Sequence, residues 1–365
     1  MKYTHLIQLL LYFTSNLCSL ENNDNRIAPD LTMIKNIIIF SPASVTGGPE
    51  ALCQLSYELT KIGHHPHIFW TTFDYANTIQ RIYKNNRWYL CKQNFDASPS
   101  VFLQKYKTKY VDFDVPLDQS TLIIIPEIWG NLIALFQEAH IGFYWLSIDG
   151  FYAKFSDNYR SLLFEKKSDP YNCIHLSDAP WISKKLQEWG LTSYLLEAPI
   201  SNHYFSTPKI KQPTNSIVYN PVKGADLAKS FIHLYPMHHY VPLKNMDEQG
   251  VINALDAAKI YIDFGNFPGK DRIPREALSR DCVIFIHNAG CATDFDSFPI
   301  DDYFRFSETD IINGTLHDKI IYTFNNYEEM HCKQAYAKDS INKESEKFQQ
   351  QVKNLFGSAI DNIVM

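Results

Sequence analysis

The sequence predicts an α/β protein of two Rossmann-like domains followed by a helical segment, and three observations predict it. Short apolar runs alternate with helix-period stretches along most of the 365 residues. The alternation comes in two series, separated by the polar, proline-containing and aperiodic stretch SNHYFSTPKIKQPTNS at 201–216. Runs such as TLIIIP at 121–126 are apolar on both faces, as strands covered by helices on both sides must be.

The first unit is the clearest. Ile37–Phe40 is a β-branched strand, SPASVTGGP a loop and ALCQLSYELTKIG a helix with Leu52, Leu55, Leu59 and Ile62 on one face. His67–Trp70 then closes a βαβ unit. Further strands are expected at Thr121–Ile125, Gly142–Ile148, Asn172–Leu176 and Ser193–Leu196. The second series has strands at Ser216–Tyr219, His239–Pro242, Lys259–Asp263 and Cys282–His287, with helices at Ala225–Leu234, Glu248–Ala258 and Pro274–Ser279. The boundary is placed near residue 205, giving domains of 33–205 and 206–330 and a helical segment at 331–365. In that segment Phe348, Val352, Leu355 and Phe356 form an apolar stripe.

The N-terminus reads differently. Lys2 followed by the apolar Leu6–Phe13 has the outline of a signal peptide over residues 1–20, but Gln8 interrupts a short apolar core. Met33 opens MIKNIIIFSP, a regular domain start, so residues 1–32 read as a leader or upstream extension. Seven scattered cysteines with no metal-type spacing point to a reduced, cytoplasmic protein, with the signal peptide as the alternative. A formal net charge of -6 argues against a general nucleic-acid binder, which needs a broad basic surface.

Against that acidic balance, DFGNFPGKDRIPREAL at 263–278 stands out. Lys270, Arg272 and Arg275 surround a turn containing Gly265 and Gly269, between a strand end and a helix start. Such cations cannot be buried unpaired. Together with the helix N-terminus they form a candidate diphosphate site. Glu276 would repel phosphate and is suited to a ribose diol. In TGGPEAL, Gly47 and Gly48 let the backbone approach a ligand at a helix start, with Glu50 in its first turn. Lys223 sits in the strand-to-helix turn YNPVKG. In the first series Glu127 and Asp149 end strands at the expected cleft, where an acceptor-binding acid or base belongs, although a helix cap and a turn explain them equally well. Ser177-Asp178 is similarly placed and less informative. No metal pattern appears among the thirteen histidines.

These stretches resemble the GT-B glycosyltransferases over roughly residues 33–330. GGPEALCQLSYELTKIGHHPHIF is similar to the family's glycine-rich turn, helix and Gly-His-strand. NPVKG resembles the turn whose basic residue meets donor phosphate, which points to Lys223, and PREALSRDCVIFI resembles the segment whose glutamate meets ribose, which points to Glu276. The likeness lies nearest a family-4-like, bacterial polysaccharide-related subgroup with a DFG…HPGKDR…PREA pattern, Phe267 standing in place of its histidine. Pro268 occupies the place of the first of two glutamates in many retaining enzymes, which leaves retention or inversion open. The arginine usual before the Lys-Gly turn is also missing, with Arg272 or Lys270 as substitutes.

The resemblance implies two Rossmann-like domains facing across a cleft and a C-terminal helix returning to the first domain. It implies transfer of a sugar from a nucleotide-sugar donor to a glycan or lipid-linked acceptor in surface polysaccharide or glycolipid synthesis. It further implies no cofactor and no metal, no nucleic-acid partner, and a cytoplasmic location compatible with peripheral association at the inner face of a membrane. A sugar-nucleotide epimerase of the same fold and a non-catalytic nucleotide-sugar or glycan binder are the alternatives.

Overall fold

The computed structural model describes residues 31–71, 79–93, 100–152, 169, 171–209 and 212–357, so the question of a signal peptide lies outside the described residues. Strand β1 (Asn36–Pro42), helix α1 (Gly47–Lys61) and strand β2 (Pro66–Thr71) form the expected βαβ unit. A hairpin of β3 (Arg81–Lys84) and β4 (Arg87–Leu90), helix α2 (Ser100–Tyr106) and strands β5 (Lys109–Tyr110) and β6 (Val115–Leu117) follow. The first domain is completed by β7 (Thr121–Pro126), β8 (His140–Trp145), α3 (Asp149–Tyr152), β9 (Ile174–Ser177), α4 (Pro180–Glu188), β10 (Ser193–Leu195) and α5 (His203–Ser206). Its main sheet is parallel, in the order β10-β9-β8-β7-β1-β2-β5.

The second sheet, also parallel, has the order β12-β11-β13-β14-β15. Its strands are β11 (Thr214–Tyr219), β12 (His239–Pro242), β13 (Ala258–Asp263), β14 (Val283–His287) and β15 (Arg305–Phe306). Helices α6 (Ala225–Leu234), α7 (Glu248–Asp256) and α8 (Arg272–Ser279) connect them. After β15 the chain is helical: α9 (Glu308–Ile312), α10 (Thr315–Asn325), α11 (Tyr327–Lys333), α12 (Ala335–Asn342) and α13 (Glu344–Phe356). Among the described residues no helix is long and apolar enough to cross a membrane.

Strand periodicity explains the two-sided core. Ile37 and Ile39 join one apolar cluster while Ile38 and Phe40 join the other, because successive side chains leave a strand on opposite faces. Helix α13 returns to the first domain. Phe348, Val352 and Phe356 are buried there with Leu52, Leu55 and Leu59 of α1, and His64 Nε2 lies 3.0 Å from the Phe356 carbonyl oxygen.

Three features depart from the sequence reading. The antiparallel sheet β3-β4-β6 was not anticipated, although Asn85 and Asn86, both left-handed at φ 50° and 64°, are the residues a tight hairpin turn favours. Strand β8 ends at Trp145 and not at Ile148, because the following residues turn onto the second domain. Helix α8 begins at Arg272, two residues before Pro274.

The docking of α13 gives the first testable outcome. Phe348 is 1% exposed, so Phe348→Ala leaves a cavity between the helix and the first sheet. It should lower stability by about 3–5 kcal/mol, read from denaturant unfolding.

Candidate functional site

The C-terminal edges of both parallel sheets point into one cleft of about 970 Å³, the position where ligands bind in open α/β sheets. Its walls include Gly47, Gly48, Glu50, Lys105, Asp178, Tyr204, Lys223, Gly269 and the 270–276 turn. Helices α1, α6 and α8 all begin beside it, and none has a side-chain cap on its first amides. Helix α7 also begins beside the cleft and is capped by Asp247, which accepts from the Gly250 amide at 2.8 Å. Uncapped helix N-termini leave N–H donors and positive dipole ends for an anion.

Arg272 lies at the centre of the charged groups. Its Nη2 stands 3.2 Å from Glu50 and its Nε 3.9 Å from Glu276, close enough to pair charges. Yet Nε and Nη2 are buried with no hydrogen-bond acceptor, because neither approach has bonding geometry. Gly47 makes room for this side chain, since a Cβ there would come 2.7 Å from Arg272 Cδ. Glu50 is also held by Lys105 at 2.7 Å and by the Tyr106 hydroxyl at 2.6 Å. Burial works against its charge, but Arg272 and Lys105 outweigh that and lower its pKa. Glu276 is buried in the cleft wall, where burial raises its pKa against the pull of Arg272 and a hydrogen bond from Tyr204. Lys223 is half-exposed at the mouth, 2.5 Å from Asp271.

The other two cations of the sequence motif have a different place. Lys270 is buried and reaches Glu197 and Glu344, each at 3.1 Å. Arg275 is 2% exposed and binds Glu344 at 2.7 Å and the Ala198 carbonyl at 3.1 Å. Both border the cleft, but their charges are spent on carboxylates of the first domain's last segment and of α13. The expectation that they hold a diphosphate is corrected accordingly. Neither Asp263 nor Asp271 neutralises Arg275; Glu344, distant in sequence, does. Gly265 is likewise structural: its amide donates to Asp263 at 2.8 Å, and a Cβ would press on Asp263 and Lys223.

Gly269 is where the domains touch. A Cβ there would lie 2.1 Å from the Leu146 carbonyl oxygen, and the neighbouring Ile148 amide donates to the Pro268 carbonyl at 2.8 Å. This contact ends β8 early and displaces the expected catalytic pair. Asp149 is exposed at the start of α3 and is not in the cleft wall. Glu127 is buried behind the wall, where it accepts the Leu146 amide at 3.1 Å. Asp178, the less informative of the strand-end acids in the sequence, is in the wall itself, one residue beyond β9. Among the described residues no group of three or more His, Cys, Asp or Glu is arranged to hold a metal.

Solved structures show the same two-domain arrangement. The pneumococcal O-GlcNAc transferase GtfA in complex with UDP and GlcNAc matches at 9% identity and TM-score 0.57, over 90% of this chain and 99% of that one. TarM matches at 10% identity and TM-score 0.56, over 90% and 99%. The E. coli trehalose-6-phosphate structure bound with UDP-2-fluoro glucose matches at 10% identity and TM-score 0.55, over 88% and 99%. The fold is GT-B. At these identities the shared property is the GT-B architecture, with its cleft between two domains. No family model matches the chain, and no curated protein does.

Two carboxyls give the site a pH signature. Burial raises Glu127 from 4.5 to about 8, against the pull of the Leu146 amide, and raises Asp178 from 3.8 to about 7, against that of Arg275. Each binds its proton more tightly folded than unfolded. The stability they confer is therefore full below their ordinary values and is lost as pH rises through about 7 to 8. Glu50, Glu197 and Glu344, whose values are lowered, act in the opposite sense at acid pH. Melting curves between about pH 5.5 and 8.5 should show a falling Tm in the wild type. Glu127→Gln, which keeps an acceptor for the Leu146 amide, should flatten that fall.

Proposed function

We propose that this chain is a glycosyltransferase that moves a hexosyl or related sugar from a nucleoside-diphosphate donor to a glycan or lipid-linked acceptor. Surface polysaccharide or glycolipid assembly is the setting proposed for it. The observation that carries the reading is Arg272, a buried guanidinium with two nitrogens lacking acceptors, among uncapped helix starts in an interdomain cleft. A buried donor without a partner costs about 1–3 kcal/mol, and phosphate oxygens would remove that deficit. Two of the similar structures hold nucleotide ligands, UDP in one and UDP-2-fluoro glucose in the other.

In this reading the diphosphate binds to Arg272, to Lys223 and to the first amides of α1 and α8. Glu276, already hydrogen-bonded by Tyr204, accepts the ribose hydroxyls. As the sugar–phosphate bond breaks, these groups stabilise the charge growing on the departing nucleotide diphosphate without moving. Glu127 acts as a positioning residue by fixing the Leu146 amide. A cytoplasmic location and peripheral contact with a membrane belong to the same proposal. The six described cysteines are free thiols, as a reducing compartment requires.

Titration of UDP and GDP against single variants tests the reading. Arg272→Ala should weaken binding roughly 10–150-fold, the size of a charge-assisted hydrogen bond, and Lys223→Ala should act in the same direction. Arg275→Ala should instead lower stability by about 3–5 kcal/mol, because it removes the closer of the two cations that hold the buried Glu344, while folded protein keeps its nucleotide affinity. Nucleotide affinity left intact in both Arg272→Ala and Lys223→Ala would sink the phosphate site. Product analysis on a nucleotide-sugar panel separates transfer from epimerisation and from binding alone.

A further inference from the structure

We propose that Asp178 is the ligand for the transferred sugar on the first domain's side of the cleft, its carboxylate accepting hydrogen bonds from sugar hydroxyls. The inference rests on the nucleotide-sugar reading and adds a residue that neither the motif nor the phosphate site supplies.

Position comes first. Strand β9 ends at Ser177, so the next residue is delivered to the C-terminal edge of the first sheet, where the cleft lies. Its backbone is fixed, because the Asp178 amide donates to the Trp145 carbonyl at 3.0 Å. Its Oδ1 accepts the Ala198 amide at 2.7 Å. Among the described residues the other carboxylate oxygen is given no hydrogen-bond partner, although Asp178 is only 6% exposed and lines the cleft.

The nearby cations make their ion pairs elsewhere. Lys270 and Arg275 pair with Glu197 and Glu344 at 3.1 Å or less, and Lys347 also pairs with Glu197. Among the described residues Asp178 forms no salt bridge, although Arg275 and Lys270 act on its charge through space. It does not cap α4 either, since the first turn of that helix has no side-chain cap. The hydrogen bond its side chain makes is to one backbone amide, and an asparagine would serve that without the cost of burying a carboxyl. Burial accordingly holds its pKa up, and a hydroxyl-bearing ligand that donates to the open oxygen would favour the charged form.

The ligand class follows from the same chemistry. A carboxylate is an acceptor and repels phosphate, so it does not extend the diphosphate site. Arg272 lies within electrostatic reach, which places phosphate and carboxylate subsites side by side, as diphosphate and sugar are in a nucleotide-sugar. Gly48 and Gly269 line the same cleft.

The test compares nucleotides with nucleotide-sugars. UDP, GDP, UDP-glucose, UDP-N-acetylglucosamine and GDP-mannose are titrated against wild type and Asp178→Asn, with thermal melts alongside. The expected result is unchanged affinity for UDP or GDP and a roughly 10–150-fold loss of the added affinity of the preferred nucleotide-sugar. Single-deoxy analogues of that donor, titrated on wild type alone, should include at least one with a comparable loss, and Asp178→Asn should not register that loss. If Asp178→Asn discriminates nucleotide-sugar from nucleotide as wild type does, or no deoxy analogue is penalised, the assignment of Asp178 is overturned and the phosphate site stands. A wild type whose affinity gains nothing from any sugar of the panel overturns it too. If wild type binds neither UDP nor GDP, the nucleotide-sugar reading falls, and this inference falls with it.

Discussion

Four buried charges hold the molecule in register. Lys270 comes from the turn after β13 and Arg275 from the first turn of α8, Glu197 from the end of the first domain and Glu344 from the start of the last helix. Each is less than a tenth exposed, so each depends on the others for its charge to be tolerated. Burial disfavours the Lys270 ammonium, yet Glu344 and Glu197 raise its pKa, the sign of net attraction within the group. A shift of either domain or of α13 would strand at least one of them. The Gly269–Leu146 contact beside this cluster is close enough to exclude a methyl group. Packing and charge thus fix the same interface, and that interface forms the floor of the cleft.

The cleft itself works by withholding the compensation given elsewhere. Arg280 is fully served by Asp256 and by two carbonyls, and Arg305 by three carbonyls and Asp302. Arg272 has two carboxylates nearby and still lacks acceptors for Nε and Nη2. The same contrast holds for helix starts, where α7 and α9 have side-chain caps while α1, α6 and α8 do not. At the cleft, an arginine without acceptors and three uncapped helix starts stand together.

Much of the architecture was legible because it rests on local pattern. The apolar-rich runs at 36–42 and 121–126, the amphipathic helix between Gly47 and Lys61 and the Gly-Lys turns are each set by neighbours in sequence. Residue type also marked the right stretch, since the 263–278 motif does border the cleft. The division of labour within it was not legible. Lys270, Arg272 and Arg275 look alike in one dimension, and only Glu344, 69 positions beyond Arg275, distinguishes them. Glu127 and Asp149 read alike as acids at strand ends, but Glu127 is buried holding the Leu146 amide and Asp149 is exposed at the start of α3. Asp178 has the same sequence signature as those two. Its distinction lies in what surrounds it in space.

The return of α13 sets an order on biosynthesis. His64 and Phe356 meet although they stand 292 positions apart, and Phe348, Val352 and Phe356 complete the apolar cover of α1. At roughly 5–20 residues per second, the ribosome delivers that cover about 15–60 s after α1 has emerged. Throughout that interval the first domain carries an uncovered apolar face, and Lys270 and Arg275, once made, wait for Glu344. The domain translated first is therefore the one finished last, and nascent chains of this protein present a long-lived, defined target for chaperones.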